Sequence, residues 1–126
     1  MAGRITVSTL NDDTGVLATQ NGMTGIPKAW VRASVSGISP TIENSFNVSS
    51  LTYNSTGDYT VNFTTAMPNA NYSFSGCAGQ TISNVGTWLS PYTSPTTTAF
   101  RFETSTWSTT RVLINVNIIG LAFFSS

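Results

Sequence analysis

A chain of 126 residues with only 8 % charged side chains forms one domain around a single core, and its formal net charge is zero. Its five basic residues, Arg4, Lys28, Arg32, Arg101 and Arg111, are scattered and make no phosphate-tracking stripe, which counts against a nucleic-acid partner. Histidine is absent, which removes Ser-His-Asp and Cys-His catalysis, imidazole metal sites and the usual general base near neutral pH.

Met1 to Arg4 leads into alternating residues and not into an apolar run, so no signal peptide is expected, and synthesis is expected in the cytoplasm. Residues 4–10 alternate with Ile5 and Val7 on one side, as a strand or an extended arm would. A turn at Asp12-Asp13-Thr14-Gly15 and an irregular stretch from Asn21 to Pro27 follow, and residues 1–28 are read as a docking arm, with a simple flexible leader as the alternative. Its apolar residues Ile5, Val7, Met23 and Ile26 are candidate contacts with another subunit or a larger assembly. Residues 29–126 are read as the folded domain. Ala29 to Val35 alternates, with Val31, Ala33 and Val35 on one face and Trp30 and Arg32 on the other.

The most informative stretch runs from Ser45 to Tyr72. Phe46 and Val48 alternate in one phase, Leu51 and Tyr53 in the opposite one, and Tyr59, Val61 and Phe63 alternate again after Asn54-Ser55-Thr56-Gly57-Asp58. This pattern predicts a β-hairpin with Phe46, Val48, Tyr59, Val61 and Phe63 on the buried face and a bulge at Ser49-Ser50. Beyond Pro68, a strand is predicted over Tyr72 to Ser75, interrupted by Gly76 and Gly79, and another within Thr81 to Leu89. Ser90 to Pro95, with two prolines, is expected to be a loop. Thr98, Phe100 and Phe102 mark the next strand, with a polar turn over Ser105 to Thr110 carrying Trp107. Arg111 to Ile119 is predicted as one strand with Val112, Ile114, Val116 and Ile118 on one face, running on to Phe123 and Phe124. Such an apolar terminal strand needs pairing on both edges or cover from a neighbouring subunit, so Phe123 and Phe124 join the candidate subunit or assembly contacts. Seven or eight short strands with no helical window imply an all-β fold, an antiparallel β-sandwich of jelly-roll type. No stretch is apolar enough to insert in a membrane.

Few residues invite chemistry. Cys77 is the only cysteine and is read as a small buried residue. Asp12 and Asp13 lack the spacing of a calcium loop, and no metal or other cofactor is expected. A glycosidase pair drawn from Glu43, Asp58 and Glu103 is disfavoured, since Asp58 falls in the hairpin loop and Glu103 alternates outward beside Arg101. No enzymatic activity is therefore expected. Asn47, Asn54, Asn62 and Asn71 each begin a glycosylation pattern of the kind chance produces in a chain so rich in Ser and Thr. Trp88, Tyr92 and Trp107 are the candidate glycan contacts, with a plug for the core or a subunit interface as the alternative reading of the tryptophans.

Three blocks carry a resemblance: Gly25-Ile26-Pro27-Lys28-Ala29-Trp30-Val31, Asn44-Ser45-Phe46-Asn47-Val48-Ser49-Ser50-Leu51, and Thr56-Gly57-Asp58-Tyr59-Thr60-Val61-Asn62-Phe63 continuing to Tyr72. Over about residues 15–80 the chain resembles a module of tail-fibre and other virion-surface structural proteins of tailed bacteriophages. From Gly79 onward it departs. The resemblance implies a β-sandwich associating as a homotrimer on the virion exterior, without catalytic residues, and with capsid or tail proteins as partners. It leaves two placements open, a capsid decoration or cement protein and a short or receptor-binding tail fibre; a carbohydrate-binding module for host surface glycans is the rival reading from a different class. The start at Met1 and the lack of shaft repeats are read as marking a whole small gene product.

Overall fold

The computed structural model describes Gly3 and residues 26–79, 87–107 and 109–125, the side chain of Trp107 excepted. Of the arm expected over residues 1–28, Ile5, Val7 and Met23 lie outside the described residues. Ile26 is at the surface, while Lys28 is buried and its backbone N–H donates to Phe123 O at 2.7 Å, which extends the pairing with the last strand.

Nine strands follow among the described residues: β1 (Ala29–Ser34), β2 (Thr41–Phe46), β3 (Val48–Ser55), β4 (Asp58–Phe63), β5 (Ser73–Gly79), β6 (Thr87–Pro91), β7 (Ala99–Trp107), β8 (Arg111–Leu113) and β9 (Ile118–Phe124). They build two antiparallel sheets, a β-sandwich. The first has the order β2-β1-β9-β5, the second the order β3-β4-β7-β6 with β8 also paired to β7. β6 pairs Phe102 to Thr106 of β7, overlapping the residues that pair with β4 and with β8. β4 and β8 must therefore share the opposite edge of β7, lying end to end.

The core is aromatic. Alternation sends Val31 and Ala33 of β1 and Ile119, Leu121 and Phe123 of β9 inward from one sheet, and Val48, Tyr59, Val61, Phe63, Phe100 and Phe102 inward from the other. Phe123 meets Phe63 and Phe100 edge-on at 5.1 Å between ring centroids, and Tyr59 stacks on Phe102 at 5.6 Å. These are the separations at which ring quadrupoles attract. The small residues Ala29 and Ala33 leave room for the rings.

Two expected strands each divide into a pair. Alternation puts Phe46 and Val48 on one buried face, yet the chain changes sheet between them. The hinge is Asn47, held at φ 55, a left-handed conformation that Asn tolerates better than most residues. Its amide stitches the switch: Nδ2 donates to Lys28 O (3.1 Å) and Thr65 O (3.0 Å), and Oδ1 accepts from Thr65 N (2.7 Å). Phe46 is left half-buried on the first sheet, opposite Trp30. Two residues on, the expected bulge is present, with Ser49 extra between the pairs Val48↔Phe63 and Ser50↔Asn62.

The stretch predicted as one strand from Arg111 to Ile119 likewise crosses between sheets after Leu113. Asn115 explains the break, since its Oδ1 accepts from Gly57 N at 2.8 Å and lies 3.0 Å from the Tyr59 hydroxyl. β9 is paired on both edges, by β1 and by β5, so the terminal strand needs no neighbouring subunit to finish it. Phe123 is accordingly 0 % exposed, a core residue and not a contact surface. Phe124, on the other face, is half-buried.

Gly57 has backbone on all sides. It turns the β3–β4 hairpin at φ +70, and a Cβ there would lie 2.6 Å from Thr104 O and 2.8 Å from Ile114 N. The hairpin tip fills the gap between the ends of β4 and β8. Thr104 N donates to Gly57 O at 2.7 Å, while Thr104 O accepts from Ile114 N at 3.0 Å. The central strand thus keeps its backbone hydrogen bonds where its neighbour changes.

Three smaller expectations also change. β5 begins at Ser73 and runs through Gly76 to Gly79 without interruption, because the missing Cβ at Gly76 lets it approach β9, where a Cβ would come within 2.5 Å of Gly120 O. Cys77 is exposed, since Phe74 and Ala78 take the inward positions of this edge strand. β7 extends to Trp107, so the turn to β8 begins later than Ser105.

Candidate functional site

The outer face of the second sheet gathers the side chains with chemical capacity. Asp58 opposes Glu103 across β4 and β7, and Ser90 of β6 opposes Glu103 on the other edge. Asp58 opens β4 instead of lying in the loop. Its carboxylate, 5 % exposed, is gripped bidentately by Arg101, with Nε to Oδ1 at 2.9 Å and Nη2 to Oδ2 at 2.5 Å. Asn54 Nδ2 adds a third bond to Oδ1 at 3.1 Å. The hydrogen bonds from Arg101 hold the Asp58 carboxyl below its ordinary value against the opposing effect of burial.

Glu103 does alternate outward, but its neighbours cover it and it is buried. It forms an ion pair with Arg111 of β8 and accepts a hydrogen bond from Ser90 Oγ at 3.0 Å. Two acids and two arginines therefore make two closed pairs. Asp58 is kept ionised, the opposite of what a glycosidase general acid requires. Glu43 lies on the other sheet, in an exposed pair with Arg32 (Nε to Oε2, 2.7 Å).

Beside these pairs stand the aromatic residues. Two prolines predict a loop from Ser90, but Pro91 closes β6, an edge strand where a missing N–H is tolerated. The strand pairing continues to Tyr92, whose N–H donates to Arg101 O at 3.0 Å. Trp88, Ser90 and Tyr92 consequently share one face at alternate positions. Trp88 is 64 % exposed and Tyr92 49 %, and the Arg101 guanidinium carbon sits 4.4 Å from the centre of the Tyr92 ring. An open pocket of about 420 Å³ lies against Trp88, lined also by Leu89, Ser90, Ser105 and Arg111.

The expected glycan contacts Trp88 and Tyr92 thus come together on one face. Trp107 ends β7 opposite Arg111, and its side chain lies outside the described residues. Sequence reading misses Ser90, Ser105, Arg101 and Arg111. The signal is the alternation Trp88-Ser90-Tyr92, concealed when Pro91 is read as a break.

Next to this area the outer residues of β3 and β4 form a lattice of amides and hydroxyls. Asn62 Nδ2 donates to Ser50 Oγ (3.0 Å) and Thr52 Oγ1 (3.1 Å), and Asn54 Nδ2 to Thr60 Oγ1 (2.9 Å). Among the described residues no cluster of acids or cysteines could hold a metal ion, and no helix is long and apolar enough to cross a membrane. Compared with protein-family models, curated proteins and solved structures, the chain matches none.

Proposed function

We propose that the chain is a non-enzymatic structural protein on the exterior of a tailed-bacteriophage virion, a homotrimer serving as a capsid decoration or cement protein or as a short fibre. One observation carries the reading: several residues behind the phage-module resemblance make contacts that tie this sandwich together. Lys28 and Asn47 sit where the chain changes sheet, and Gly57, Asp58 and Tyr59 sit where the hairpin tip locks into β7 and the link before β9. Structural roles at these positions support the reading.

In this reading the subunit contact uses the outer face of the first sheet. There Trp30 pairs across to Phe46 on one side and Ala122 on the other, and Phe124 follows on the same face, making a half-buried apolar row. Phe123, which is buried, takes no part.

Gel densitometry of purified virions of the phage encoding the chain tests the reading. A band present in the copy number of the shell assigns it to the capsid, and one in the copy number of tail fibres assigns it to the tail. Absence of the chain from virions overturns the proposal.

A further inference from the structure

We infer that the outer face of the second sheet binds a neutral oligosaccharide, centred on Trp88 and the pocket beside it and extending along β6 to Tyr92. The inference stands whatever assembly carries the chain. A pocket of about 420 Å³ is within the range of small-ligand sites, and it is a mostly apolar hollow lined by Trp88, Leu89, Ser90, Ser105 and Arg111. An apolar wall with a few polar residues at its margin suits a sugar ring, whose faces present C–H groups and whose rim presents hydroxyls.

A tryptophan 64 % exposed on an edge strand leaves most of an indole in water, a cost that a stacked ring would relieve. Tyr92 lies four residues along the same face, about 13 Å away at ~3.3 Å per residue. This spacing suits a ligand of several sugar units better than one.

Preorganisation and charge narrow the class further. Tyr92 is held by Arg101, and Arg101 in turn by the bidentate contact with Asp58, so little rotamer freedom remains to be lost on binding. The charges of this face close upon themselves in the pairs Asp58–Arg101 and Glu103–Arg111. No net field is left to attract a sulfated or sialylated chain. The adjoining lattice of Asn62, Asn54, Thr52 and Thr60 offers hydroxyl and amide partners where a protein interface would have an apolar centre.

The test applies the full chain to an array of neutral, sialylated and sulfated oligosaccharides and then titrates the best neutral ligand by tryptophan fluorescence. Binding of neutral oligosaccharides is expected, with Trp88→Ala and Tyr92→Ala each raising Kd about tenfold or more. The unfolding midpoint should stay unchanged in both, and Val112→Ala, at an exposed position outside the site, should leave Kd unchanged. An array without neutral binding overturns the inference. Binding that persists in both aromatic variants, or that is confined to anionic glycans and vanishes with added salt, overturns it equally.

Discussion

Replacing Gly57 with alanine isolates the contact on which the second sheet depends. The left-handed φ of +70 costs an L-residue about 1–2 kcal/mol. The new methyl would also fall 2.6 to 2.9 Å from Thr104 O, Ile114 N and Ile114 O, all backbone atoms that cannot rotate away. The tip must withdraw, losing Gly57 N to Asn115 Oδ1 (2.8 Å) and Thr104 N to Gly57 O (2.7 Å), each worth about 1 kcal/mol. The expected destabilisation is therefore about 3–4 kcal/mol, a large share of the roughly 5–15 kcal/mol that holds a domain folded. For 126 residues, at ~2.1 cal/mol/K per residue, it lowers Tm by roughly 13 °C.

Gly37 supplies the control. Its φ is +90, but nothing lies within 4 Å of the place a methyl would take, so Gly37→Ala should incur only the backbone cost of about 1–2 kcal/mol. Urea denaturation of both variants measures the difference. Equal losses would refute the packing of the hairpin tip between β7 and the link to β9.

Three further outcomes follow from the same geometry. Burial raises the hydroxyls of Tyr59 and Tyr72 to about 12, above an unfolded value near 10. Their contribution to stability is complete below pH 10 and is lost as pH rises through 12, about 2–3 kcal/mol each, as urea titrations across that range should show. Asp58 has a folded value depressed below 3.8, so its contribution is present above that value and is lost as pH falls through the lower folded one. Asp58→Asn should cost about 2 kcal/mol at pH 7, discounted for the 38 % exposure of Arg101, and should flatten the acid limb of the stability curve. Phe123→Ala should cost about 3–5 kcal/mol in denaturant melts, whereas Phe124→Ala on the other face of β9 should cost under half as much, and equal losses would contradict the placement of Phe123 in the core.

Much of the scaffold is legible because period-2 alternation reports which side chains face inward. The inward set of β1, the hairpin tip at Gly57, the bulge at Ser49 and the pair Phe100 and Phe102 all follow from it. Alternation is blind, however, to which sheet a strand joins. Phe46 and Val48 keep phase across Asn47 although they belong to different sheets, and one residue at positive φ is all that separates them. From Arg111 to Phe124 the apolar residues disguise a crossing whose trace is the spacing of three between the buried Val116 and Ile119.

The candidate site is legible only as a set of aromatic residues. What joins Trp88 to Tyr92 is a proline accepted on an edge strand, and what neutralises the face includes the cross-strand pair of Asp58 with Arg101, which depends on pairing between segments more than forty residues apart. Cys77 shows the same limit, since composition favours burial of cysteine but the face of an edge strand decides otherwise.

Reconstruction of the virion by electron cryo-microscopy tests the central claim most directly. The account predicts trimeric density for this sandwich on the outside of the particle, with the outer face of the first sheet turned towards its own copies and Trp88 and Tyr92 turned outward. Density inside the shell, or particles lacking the chain altogether, would contradict it.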